Sequence, residues 1–264
     1  MKYAAMLLGL ALLLAACDGA PTTPGTDEPA RGPVITGTVV EEDLWQPSFP
    51  NLTLKAWSGG AGQVATTVVD DSGKTAVVAT GSLNADGTFS VALPAAVASA
   101  SLGSLAAALN LQDNPFVPAG LNCTAALVPS DTAARGAALL VAVTGQKAGV
   151  ISPVTQSGEF NEAAQTGTLT IRNGAYVYSD RAVSVSGSQT CTGPYQDAAI
   201  QATLTSAVQL SPGWNTVNVT TNVLFDKSTV TLTTTSQTGA LPTSQWLYSG
   251  GLGGLGLTSF PSLR

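Results

Sequence analysis

Thr216-Val217-Asn218-Val219-Thr220-Thr221-Asn222-Val223-Leu224-Phe225 is the most regular stretch of the chain. Val217, Val219, Val223 and Phe225 fall on one side at a period of two, and Thr216, Asn218, Thr220 and Asn222 on the other. Alternation of this kind is what a strand with one buried face requires. Asp226-Lys227 then turns the chain into 228–235, with Val230 and Leu232 directed inward, so the segment reads as a β-hairpin. Long, β-prone and uncharged apart from its turn, the hairpin has the composition of an edge that pairs with a partner. A lysine at Thr220 would weaken such an assembly if the strand is an edge and unfold the monomer if it is internal.

The same idiom spreads in both directions. Within 120–249, the run 137–143 is continuously apolar and short enough for a strand buried on both faces, while Leu169 and Ile171, then Val183 and Val185, alternate with polar residues. Upstream, short β-rich runs occupy 34–40, 52–57, 63–69, 75–82 and 88–93. They are separated by turn chemistry at Ser58-Gly59-Gly60, Asp70-Asp71-Ser72-Gly73 and Asn84-Ala85-Asp86-Gly87. After Pro94 comes an alanine- and serine-rich stretch with leucines at 102, 105 and 109, the spacing of a helix, weakened by Gly103. The expectation is an all-β chain: two antiparallel β-sandwich-like units, 33–94 and 120–249, joined across 95–119 by one short connecting helix and followed by a glycine-rich tail, 250–264. Ile35-Thr36-Gly37-Thr38-Val39, together with Asp86-Gly87-Thr88-Phe89 and Leu93-Pro94, resembles the transthyretin-like and carboxypeptidase-regulatory-like sandwich modules of exported bacterial proteins.

Composition removes whole classes of chemistry. The chain has no histidine, which excludes Ser-His-Asp and Cys-His catalysis and most zinc sites. Ten lysines and arginines are scattered singly against sixteen acids, leaving no basic stripe for nucleic acid. Asp71-Ser72-Gly73 after Val68-Val69 resembles the catalytic loop of aspartic proteases, but the second copy that such a site needs is missing and a hairpin turn accounts for the residues. Gly251-Leu252-Gly253-Gly254-Leu255-Gly256 fits the dinucleotide fingerprint only literally, with no room for the helix that must follow. Glu159 and Glu162 lie in a segment that reads as loop, where nothing would set a glycosidase spacing. A non-catalytic role is the expectation.

Two binding options remain. In a simple meander, alternate turns share one end of the sheet, which would gather Glu41, Glu42, Asp43, Asp70 and Asp71 there and send Asp86 to the other end. Five such carboxylates could hold a weak calcium ion, the one cofactor the sequence suggests. Alternatively they simply keep sheet ends solvated. Tyr176 with Tyr178, and Trp246 with Tyr248, share strand faces at the two-residue period. Exposed, they would form a flat platform for glycan; buried, they are core.

The N-terminus gives the firmest motif. Lys2, an apolar run over 4–14 and the small residues Ala15 and Ala16 before Cys17 have the layout of a secretory signal, too short to span a bilayer. Leu14-Ala15-Ala16-Cys17 resembles the lipobox of bacterial lipoproteins. The resemblance implies cleavage of a signal peptide, 1–16, acylation of Cys17 with diacylglycerol and palmitate, and a membrane-anchored protein facing the periplasm or the cell surface. The expected partner is an envelope protein, since histidine, catalytic charge clusters and a cofactor loop are missing, or else cell-wall glycan through exposed Trp and Tyr. The stretch 17–32, rich in proline and small residues, reads as a disordered tether reaching ~45 Å at about 3.1 Å per residue. With Cys17 lipidated, Cys123 and Cys191 are left as a pair in an oxidising compartment, and a disulfide is the economical reading. Two buried free thiols are the alternative.

Overall fold

The computed structural model describes residues 31–43, 50–70, 74–105, 122–124, 127–195 and 198–250. In chain order the strands are β1 (Arg31–Glu42), β2 (Leu54–Ala56), β3 (Gly62–Val69), β4 (Thr75–Leu83), β5 (Thr88–Pro94), β6 (Gly103–Ser104), β7 (Asn122–Cys123), β8 (Val128–Pro129), β9 (Arg135–Thr144), β10 (Gly149–Ser152), β11 (Val154–Asn161), β12 (Thr166–Ser179), β13 (Val183–Tyr195), β14 (Ala198–Leu210), β15 (Gly213–Asp226), β16 (Thr229–Thr238) and β17 (Gln245–Ser249). The protein is all-β. The runs expected over 34–93 correspond to β1 to β5.

Seven of these strands form a barrel-like ring. Around it β1 pairs with β5, β5 with β4, β4 with β3, β3 with β9, β9 with β10, β10 with β17, and β17 returns to β1. All these pairings are antiparallel except β1 with β17, which is parallel. The shortest pairing around the ring is β4 with β5, where only Ser82 with Ser90 and Leu83 with Phe89 are in register. Inward side chains follow the period of two: Val64, Thr66 and Val68 on β3, Phe89, Val91 and Leu93 on β5, and Leu139, Val141 and Val143 on β9 are all buried. Gly37 on β1 lets the Trp246 indole lie against the backbone, because a Cβ there would fall 2.4 Å from its ring.

The ring changes the expected division of the chain. Stretch 33–94 does not close a sheet by itself; β9, β10 and β17, from the far side of the linker, complete it. β9 is the shared member. Its first residues pair with β6 and with the end of β12, and its later ones with β3 and β10. The run 137–143 is paired along both edges but buried on one face only: Ala137, Leu139, Val141 and Val143 are buried, Leu140 and Ala142 partly so, and Ala138 is exposed, so the expected burial on both faces is not found. The helix expected after Pro94 is, through Ser104, a single three-ten turn at Ser99–Ser101 followed by β6. Leu102 is instead extended and buried in the ring core, so tertiary burial overrides helical spacing. Residues 106–121 lie outside the described ones.

The second body is a sheet of long strands in the order β11, β12, β15, β16, β14, β13, with β7 and β8 along the outer side of β13. β14 with β16 is parallel, a departure from the expected all-antiparallel pairing. The hairpin of β15 and β16 forms as the alternation predicts, with Asp226 opposite Thr229 and Lys227 at φ +52° in its turn. It is not an edge. β15 lies between β12 and β16, and β16 between β15 and β14, so the expected edge pairing of 216–235 is ruled out by the neighbours it already has.

The two faces of this sheet differ. One carries two apolar clusters, around Val183, Val185, Val208 and Leu210 and around Leu169, Val223, Phe225 and Leu232. Between them runs a polar waist: Thr221 bonds Thr234 at 3.0 Å, Ser206 donates to the Val185 carbonyl at 3.0 Å, and Gln189, 1% exposed, donates to the Thr124 carbonyl at 3.1 Å. The other face sets polar side chains, mostly hydroxyls, in register across strands. Thr170, Asn222, Thr233, Thr203 and Thr190 make one row, and Arg172, Thr220, Thr235, Thr205 and Ser188 the next.

Candidate functional site

The densest polar constellation among the described residues sits at the end of the ring where β1 finishes. Glu41 is next to last on β1 and its side chain turns inward, only 6% exposed. An isolated buried carboxylate is costly, so partners must converge on it. They come from two loops. Ser58, between β2 and β3, donates to Glu41 Oε1 through both its backbone N–H and its hydroxyl, each at 3.0 Å. Lys147, between β9 and β10, donates to Oε1 at 2.7 Å and Oε2 at 2.8 Å, and to Ser58 Oγ at 2.7 Å. Lys55 on β2 is 3.9 Å from Oε2. Burial by itself would raise the Glu41 pKa, but the hydrogen bonds from Lys147 and Ser58, with the charge of Lys147, outweigh it and hold the carboxyl below its ordinary 4.5.

Aromatic packing fixes the rim of this cluster. The Trp57 indole N–H donates to the Gly60 carbonyl at 2.8 Å, and Lys147 Nζ lies 5.8 Å from the ring centroid. Gly59 is required here, because a Cβ on it would fall 2.0 Å from the Trp57 ring. Tyr248 packs edge-on to Trp57 at 5.2 Å and its hydroxyl donates to the Ala148 carbonyl at 2.9 Å. The two loops are further knit by Gln146 N–H to the Gly59 carbonyl at 3.2 Å.

A serine, a lysine and a carboxylate within hydrogen-bond reach invite a nucleophilic reading, and the donor accounting argues against it. An ammonium has three N–H groups, and all three of Lys147's bonds are in use. A lysine acting as base needs to be neutral, yet this one lies against a carboxylate held in its charged form. The Ser58 hydroxyl proton points to the same carboxylate. The geometry is that of a clamp joining the β2–β3 and β9–β10 loops to the end of β1.

The expected calcium set is not brought together. Because β5 runs against β1, β4 against β5 and β3 against β4, β3 runs opposite to β1, and Asp70 leaves from the far end of the ring. Asp86 comes to the near end instead, next to the bond from Val39 N–H to the Gly87 carbonyl. This reverses the meander expectation, since β2 and β3 do not form a hairpin. Glu41 is committed to Lys147, Glu42 points away and is exposed, the Asp43 N–H donates to Thr53, and Asp70 accepts from Lys74 N–H at 3.0 Å. Asp71 lies outside the described residues, and among those no three acidic or thiol groups converge. Asp86 caps its own turn, accepting from Thr88 Oγ1 at 2.7 Å and N–H at 3.0 Å, which lowers its pKa.

The aromatic platform is also displaced. Trp246 is 2% exposed, edge-on to Phe89 at 5.4 Å inside the ring. Tyr178 is buried edge-on to Trp214 at 5.3 Å, and Tyr176 is half-buried, its pKa raised by burial. Tyr248 packs on Trp57. These rings share faces as the period of two predicts; Trp246 and Tyr178 are buried, and Tyr176 and Tyr248 pack partly buried against the ring core.

Cys123 and Cys191 stand opposite each other on β7 and β13 and form the disulfide expected, with S–S 2.06 Å. Cys17, the lipidation residue, lies outside the described residues. The parts that sequence reasoning missed are Ser58, Trp57 and Lys147. Their signal was faint: a scarce lysine between Gly145 and Gly149, more than a hundred residues from its carboxylate. No family model, no curated protein and no solved structure matches this chain.

Proposed function

We propose that the chain is an exported lipoprotein, held to a bacterial membrane through Cys17, that acts as a non-catalytic structural or protein-binding component of the cell envelope. The observation that carries the reading is the pairing of Cys123 with Cys191. Of three cysteines, two are joined in a bond that belongs to oxidising compartments, and the one left over is the residue at which the lipobox-like motif ends. The non-catalytic part draws support from the clamp, where the serine, lysine and carboxylate satisfy one another rather than face an incoming molecule. The aromatic rings that would have served a glycan are engaged in packing, so a protein partner is the better reading.

The test is metabolic labelling with an alkyne palmitate in cells producing the full chain, followed by membrane fractionation. The parent should carry label and sediment with membranes. Cys17→Ser should lose both while keeping the Cys123–Cys191 bond, seen as an absence of free thiols on non-reducing mass analysis. Label that persists in Cys17→Ser, or free thiols at 123 and 191 in the parent, would sink the reading.

A further inference from the structure

We draw no further inference here: the strongest candidate, the polar outer face of the long sheet where Thr170, Asn222, Thr233, Thr203 and Thr190 stand in register across β12, β15, β16, β14 and β13, is an unpartnered face, and nothing in the structure shows what covers it.

Discussion

In the ring, short strands enclose aromatic and branched side chains: Trp246 against Phe89, Trp57 against Tyr248, valines from β3 and β9 between them. In the long sheet, strands of 13 and 14 residues carry two small apolar clusters parted by threonine, serine and glutamine. Burial of apolar area scales with the side chains available, so the ring draws its stability mostly from its interior. The sheet has less to bury and relies on long ladders, cross-strand hydroxyl pairs and a disulfide that constrains its unfolded state. Stability can thus be distributed very differently within one chain, depending on what a two-residue period is given to bury.

The strongest way to break that contrast is Trp246→Ala. Removing the indole should cost up to about 5 kcal/mol and, since β9 belongs to both bodies, the sheet should lose protection with the ring. Hydrogen exchange that leaves the long sheet fully protected in this variant would show the bodies to be independent. Next in size is Cys123→Ser with Cys191→Ser. Opening the loop of 68 residues should cost about 4 kcal/mol in the chain-entropy model, read as a lower denaturation midpoint with exchange rising first along β13 and β14. Faster exchange confined to β3 and β9 would contradict the assignment.

Lys147→Met addresses the clamp and should cost about 1.5–3 kcal/mol, the range for a hydrogen bond to a charged group. It also carries a pH signature. The Glu41 pKa is lower folded than unfolded, so its contribution is present above the ordinary 4.5 and is lost as pH falls through the lowered folded value. Acid titration of stability should therefore show an added slope below about 4.5 in the parent that Glu41→Gln lacks; identical slopes would remove Glu41 from the account. The smallest effect is expected from Thr221→Val with Thr234→Val in the sheet's waist. Replacing both partners of a hydrogen bond with isosteres should change stability by less than about 1 kcal/mol, and a large loss would mean that the waist, not the clusters, holds the sheet.

Local structure was legible and distant pairing was not. The turns at Asn84-Ala85-Asp86-Gly87 and Asp226-Lys227 and the alternation through β5 and β15 follow from neighbouring residues, and those strands lie where periodicity puts them. Nothing local marks β17 as the parallel neighbour of β1 or β9 as the strand common to two bodies, because the partners lie far apart in the chain, Thr38 beside Gln245 and Gln63 beside Thr144. The same reach hid Lys147 from Glu41. Misplacing the β3–β4 turn followed from one assumption, that consecutive strands pair, and it sent Asp70 and Asp86 to the wrong ends together. Trp246 and Tyr248 were correctly given a shared side, but a two-residue period says which side a ring faces and not whether solvent is there.

β1 and β17 lie parallel, Thr38 beside Gln245, Val39 beside Trp246 and Val40 beside Leu247. The chain enters β1 at one end of the ring and leaves β17 at the opposite end. Tension drawn between those two points would slide the strands along each other, so their ladder bonds would be strained together rather than opened one after another. The fold is built in the orientation that yields least to a pull.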